Sequence, residues 1–169
     1  MRRSIDLAVS TVLALLISAC GFHLKGQQHY AFERLYIEAS TQISQNVSAR
    51  LKSMIARGSH VRVVGHPKDA DAILVLDAIR SRSAKSLSAH GATEEYALEM
   101  IVNYQLKNAD GAVLLGPDRL ILHRSMTYNN QYALSKAIES EQLYQDIEND
   151  AIDQLLRRLA AVQRLKTAD

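Results

Sequence analysis

The chain has 169 residues, 47% of them hydrophobic, and 20 basic side chains set against 18 acidic ones for a formal net charge of +2. That length suits one domain around one core. So even a charge balance excludes a global field that would draw in nucleic acid or an acidic surface, and leaves charge-driven recognition to a local patch.

At the amino terminus, Arg2 and Arg3 precede an apolar run from Val12 to Ile17, and the small residues Ser18 and Ala19 lead into Cys20, the only cysteine. A charged start, a short apolar segment and a small-residue cleavage site describe an export signal over residues 1–19, too short to remain as a spanning helix. Leu16-Ile17-Ser18-Ala19-Cys20 resembles the lipobox of bacterial lipoproteins. The resemblance implies cleavage before Cys20, a diacylglyceryl thioether on its sulfur and acylation of the new amino terminus. Several acyl chains together anchor stably, where one binds only marginally. Gly21, rather than Asp, follows the cysteine, a pattern that implies sorting to the outer membrane. Cleavage leaves 150 residues with 18 basic and 17 acidic side chains. With Cys20 lipidated, no thiol remains for a disulfide, a metal site or a nucleophile.

Residues 20–29 are short, Gly-flanked and aperiodic, and read as a lipidated tether with one apolar pair, Phe22 and Leu24. A single domain over residues 30–166 follows. Leu35, Ile37 and Ala39 alternate with Arg34, Tyr36 and Glu38 in a half-buried strand from Phe32. Ser40 or Thr41 caps a helix of roughly residues 42–57, with Ile43, Val47, Leu51 and Ile55 on one stripe and Gly58 placed to end it. A second strand, His60 to Val64, stops at Gly65 and Pro67. A third, Ala72 to Ile79, is apolar at nearly every residue, which predicts burial on both faces. The basic, serine-rich stretch from Arg80 to Gly91 has little to pack and is expected to project as a long hairpin tip.

Tyr96, Leu98, Met100, Val102, Tyr104 and Leu106 then share one strand face, and Asn108-Ala109-Asp110-Gly111 forms a hairpin turn. A strand from Leu120 to Tyr128 follows. From about Ser135 the period becomes helical, with Tyr144, Ile147, Ala151, Leu155, Leu159 and Val162 on one stripe. Arg157, Arg158, Arg164 and Lys166 crowd its end, where positive charge suits the helix dipole. Strand, helix, several strands and helix predict an α+β two-layer sandwich: two helices on one face of a mostly antiparallel sheet. The crossover after the first strand makes that sheet mixed.

Residues with chemistry are scattered. His23, His29, His60, His66, His90 and His123 lack the i, i+4 helical spacing of a zinc motif. No phosphate loop or G-x-S-x-G elbow occurs, and Glu94, Glu95 and Glu99 read as a solvated sheet face. The expectation is a non-enzyme without cofactor or metal. In the Arg80–His90 stretch, cations alternate with hydroxyls in a pattern suited to anions. Without interleaved aromatics it does not suit nucleic acid, and export leaves phosphorylated lipopolysaccharide as the available anion. A plain solvated hairpin stays equally open.

Four segments, taken together, resemble one family. They are Cys20-Gly21-Phe22-His23-Leu24-Lys25-Gly26; the strand Thr93 to Met100; Arg124-Ser125 through Asn130-Gln131-Tyr132-Ala133-Leu134-Ser135-Lys136 to Glu141-Gln142; and Ala151 to Leu159. They resemble, in order, the LptE family of lipopolysaccharide-assembly lipoproteins, while residues 40–90 match only in pattern. The resemblance implies a non-catalytic outer-membrane lipoprotein on the periplasmic side. It would plug and help assemble the β-barrel LptD and help deliver lipopolysaccharide to the outer leaflet. It implies lipopolysaccharide contacts from Lys136 and from the hairpin tip, where Arg80, Arg82, Lys85 and His90 stand. The tip departs from the family pattern, with Ala89 where Arg is expected; either Lys85 and His90 substitute, or tip binding is weaker. The alternatives are a generic envelope lipoprotein serving another lipid transporter and, less consistent with the residues, a lipid-anchored hydrolase.

Overall fold

The computed structural model describes residues 29–89 and 91–166, with side chains up to Val162. The export signal, Cys20, His23, His90 and the side chains of Arg164 and Lys166 lie outside the described residues.

Alternation sets the first strand, β1 (Arg34–Ala39): Leu35 and Ile37 are buried and Arg34 and Glu38 exposed. The Thr41 hydroxyl then accepts the Ser44 N–H at 3.1 Å and caps α1 (Gln42–Gly58). Val47, Leu51 and Ile55 are buried as the stripe requires, and Ser44 and Ser48 are buried beside them. Ser44 Oγ accepts the Ala78 N–H at 2.8 Å; an aliphatic residue there would leave a buried donor unmatched. The next strand is shorter than the apolar run suggested: β2 is only Arg62–Val63, followed by a single 3₁₀ turn at Pro67–Asp69.

Three long strands follow, β3 (Ala72–Leu87), β4 (Thr93–Asn108) and β5 (Val113–Thr127). The sheet order is β2-β1-β3-β4-β5, with β1 parallel to both neighbours and β3, β4 and β5 an antiparallel meander. After a 3₁₀ turn at Asn130–Tyr132, α2 (Ala133–Lys166) runs back over the sheet. Ile147, Ala151, Leu155, Leu159 and Val162 are buried as predicted, and Ile152 and Leu156 widen the stripe. α1 packs chiefly on β3 and α2 on β4 and β5, so the predicted mixed-sheet, two-layer α+β architecture holds. Leu35, Leu74, Leu98, Leu106, Ile147 and Leu159 meet between the layers, each fully buried aliphatic contributing roughly 1.5–3 kcal/mol.

Three expectations are corrected. β3 is not buried on both faces: Ala72, Leu74, Leu76 and Ala78 face the helices, while Ile73 and Val75 are half-covered and Ile79 is 50% exposed. With both helices on one side, continuous apolar character did not bring a second layer among the described residues. The stretch from Arg80 belongs to a hairpin, as expected, but most of it is strand and not tip. It pairs with β4 as far as Leu87 opposite Thr93, with a bulge at Lys85, and beyond it the Ser88 N–H donates to the Ala92 carbonyl at 2.7 Å. Low apolar content argued against packing, but ladder hydrogen bonds need no apolar side chain. Third, β5 begins at Val113, seven residues before the predicted start. Gly116-Pro117 reads as a breaker, yet β5 is an edge strand, where proline is tolerated at a bulge. Gly116 has φ +79°, and a Cβ there would stand 2.9 Å from both the Asp118 nitrogen and the Tyr104 carbonyl oxygen.

Candidate functional site

Strand alternation divides the basic hairpin between two faces. Arg80 and Arg82 continue the helix-facing row of Ala72, Leu74, Leu76 and Ala78, whereas Lys85 in the bulge reaches the open face. The start of α2 follows the end of β5, so Lys136 arrives at the same end of the sheet.

Arg80 is held inside the molecule. Its side chain is 20% exposed, pairs with Glu148 and with Glu141 at 3.3 Å, and lies 4.8 Å over the Tyr144 ring. Glu148, 3% exposed, also accepts a hydrogen bond from Arg50 Nη1 at 3.1 Å. One carboxylate on α2 therefore ties α1 to β3. Burial lowers the Arg80 pKa, but the hydrogen bond and charge of Glu148, then Glu141, outweigh it, and the balance is raised. Tyr144 donates to the Ser81 carbonyl at 2.6 Å, and burial raises its pKa. Arg80 Nε is left without a hydrogen-bond partner.

The other predicted cations are engaged as well. Arg82 stands 4.7 Å over the Tyr96 ring, which meets Tyr128 edge-on at 5.1 Å. Lys85 Nζ donates to Glu95 and to Ser125 Oγ, both at 2.9 Å, and its hydrogen bond holds the Glu95 carboxyl below its ordinary pKa. Lys136 Nζ donates to Glu139 at 2.7 Å and to Thr127 Oγ1 at 3.2 Å. Glu95 and Thr127 are direct partners across β4 and β5. The structure thus brings Lys85 and Lys136 to one cross-strand pair and sets Arg80 and Arg82 behind them on the helix side.

Glu148 and Arg50 escaped the sequence reading, although a signal existed: Glu148 falls on the α2 stripe, four residues after Tyr144 and three before Ala151. A second buried-edge cluster, Tyr104, Asp118 and Arg158, joins β4, β5 and α2. Tyr104 Oη donates to Asp118 at 2.8 Å, and Arg158 bonds both. Arg158 therefore pairs with a carboxylate across the layers instead of serving the helix terminus alone. Among the described residues, no group of three or more His, Cys, Asp or Glu side chains could hold a metal. Likewise, no helix there is long and apolar enough to cross a membrane.

Comparison with known proteins shows what this arrangement is similar to. The LptE family model, described as lipopolysaccharide-assembly, matches residues 32–159. An LPS-assembly lipoprotein LptE from Yersinia enterocolitica is 28% identical over 166 residues, covering 96% of this chain and 78% of the relative. Another so named from Photorhabdus laumondii is 28% identical over 152 residues, with 89% and 82% covered. The solution structure of lipoprotein B from Nitrosomonas europaea superposes with a TM-score of 0.72 at 32% identity, over 85% of this chain and 93% of that one. The rare lipoprotein B from Shewanella oneidensis shares the fold, with a TM-score of 0.62 at 22% identity over 79% and 98% of the two chains.

Proposed function

The chain belongs to the LptE, or lipopolysaccharide-assembly, family, and from that premise we propose that it works as an outer-membrane lipoprotein seated within the β-barrel LptD. A role in lipopolysaccharide assembly follows from the family itself. In the finer reading, Cys20 carries the acyl anchor on the periplasmic side. The sheet and its two helices fill the barrel lumen, assist barrel assembly, and help pass lipopolysaccharide to the outer leaflet. The protein acts by binding and positioning, without a catalytic residue or cofactor.

At the hairpin end, Lys136 and Lys85 are the proposed lipopolysaccharide contacts. An ammonium group meets phosphate as a point charge, and Lys136 exchanges Glu139, one helical turn away, for the incoming anion. Arg80 and Arg82 support that end from the helix side, Arg80 through Glu148 and Arg82 through Tyr96. The observation that carries the reading is the family match over residues 32–159, which takes in the whole sheet, all of α1 and most of α2. Affinity purification of the full chain from detergent-solubilised outer membrane tests it. Stoichiometric recovery of a large β-barrel is expected. Recovery of another lipid transporter's subunits without a barrel refutes the barrel assignment and favours an auxiliary subunit of that transporter.

A further inference from the structure

The hairpin cations already have partners, whereas a second group of cations among the described residues does not. Between Glu38 and Asp69 the chain contains no acidic residue, and the interval carries Arg50, Lys52, Arg57, Arg62 and Lys68 together with His60 and His66. Arg50 is committed to Glu148. Lys52, Arg57, Arg62 and Lys68 make no ion pair among the described residues. In a chain of nearly balanced charge, this interval is where the sequence concentrates positive charge without a carboxylate between, and local charge of this kind is what recognition requires.

The fold gathers part of it into a groove. α1 supplies Lys52 and Ser53 from the helix layer, the link that follows the helix supplies Ser59 and His60, and β2 supplies Arg62 and Val63 at the sheet margin, around a space of about 820 Å³. No carboxylate lines it. Arg62 lies in register beside Arg34, another cation, which engages the Asp71 carboxylate at 2.6 Å. β2 is an edge strand. The Arg62 and Val64 amides donate to the Glu33 and Leu35 carbonyls, at 2.8 Å and 2.9 Å, so strand alternation turns the intervening Val63 N–H toward the open side as a further donor.

We propose that this α1–β2 groove is a second anion-binding surface, and that its occupant is a phosphorylated sugar of lipopolysaccharide. The proposal rests on the reading of the chain as a lipopolysaccharide-assembly protein; the groove's own contribution is the choice of residues. A free cation binds an incoming phosphate without first surrendering an internal partner. Lys136 and Lys85 each have to release a carboxylate. Lys52 stands on the helix layer, whereas Arg62, in register with exposed Arg34, stands on the opposite face of the same sheet edge, so the two cations flank that edge as an extended ligand with separated phosphates requires.

The test is equilibrium binding of the full chain, in neutral detergent, to lipopolysaccharide, to the same lipopolysaccharide with its phosphates removed, and to inorganic phosphate. The Lys52→Gln/Arg62→Gln pair is compared with Lys107→Gln/Arg119→Gln, unpaired cations outside the groove that make the same change in net charge. The groove pair is expected to weaken lipopolysaccharide binding about fivefold to tenfold, as two exposed charge contacts should, with thermal stability and dephosphorylated-ligand binding unchanged. The control pair is expected to change affinity by less than about twofold. Equal losses from both pairs would reduce the effect to diffuse electrostatics and overturn the site. An equal loss for the dephosphorylated ligand would overturn phosphate as the recognised group. Competition by inorganic phosphate at matched phosphate concentration would overturn lipopolysaccharide as the source. Unaltered binding by the groove pair refutes the groove alone, whereas failure of the wild-type chain to bind lipopolysaccharide refutes the functional reading beneath it.

Discussion

Replacing Glu148 by Gln probes the joint between the two helices and the sheet. The side chain is 4% exposed, and its carboxylate serves Arg80 from β3 and Arg50 from α1. Gln keeps the shape and one acceptor but removes the charge, leaving Arg80, 20% exposed, with Glu141, which is 57% exposed. Removing one member of a buried ion pair costs about 3–5 kcal/mol. Arg80 retains Glu141 and the Tyr144 ring, so the expected loss is smaller, about 2–3 kcal/mol, or a fall in Tm on the order of 6–10 °C for a domain this size. Urea denaturation and calorimetry measure it. A double-mutant cycle with Arg80→Met isolates the pair, with an expected coupling of about 1–2 kcal/mol. Arg50→Met, at a side chain 41% exposed, should cost less than about 1 kcal/mol. A Glu148→Gln protein within about 0.5 kcal/mol of wild type, inside the range of ordinary surface changes, would refute the reasoning. So would additivity of Glu148→Gln and Arg80→Met.

Gly116→Ala should destabilise by more than about 1 kcal/mol in urea, because φ is +79° and the added Cβ meets backbone atoms at 2.9 Å; a neutral result would mean the β5 bulge relaxes freely. Asp71 is held below its ordinary pKa, first by its side-chain hydrogen bond from Arg34. Its stabilisation is thus present above the unfolded carboxylate pKa and lost as pH falls through the folded one. Asp71→Asn should accordingly flatten the fall of Tm below about pH 4, and parallel Tm–pH curves for the two proteins would contradict this. Lys136→Gln should weaken lipopolysaccharide binding at a modest cost in stability of about 1 kcal/mol, since Lys136 is 18% exposed and its partner Glu139 43%; unchanged affinity would remove Lys136 from the contact set. Cys20→Ala should abolish incorporation of labelled fatty acid, and normal labelling would refute the lipoprotein assignment.

The sequence by itself determined the elements whose side-chain period is dictated by one buried face. Leu35 and Ile37, the Val47-Leu51-Ile55 stripe, the alternation from Leu98 to Leu106 and the run from Ile147 to Val162 are all legible because solvent and core impose periods of two or near four. Turn chemistry was equally local: Asn108 Oδ1 accepts the Ala112 N–H at 2.7 Å, and Gly111 takes φ +86°. What tertiary structure decided is partnership across long separations. The length of β3 beyond Ile79 was fixed by its ladder with β4, which needs no apolar side chain. Whether Ile73, Val75 and Ile79 were covered depended on which side the helices chose. The cations divided in the same way. Their types and spacing stood in the sequence, but contacts between residues 68 positions apart, Arg80 and Glu148, made one a structural strut. Packing of α1 beside β2 left Lys52 and Arg62 without partners. Charge is written locally in the chain; whether it is neutralised is settled only when distant elements meet.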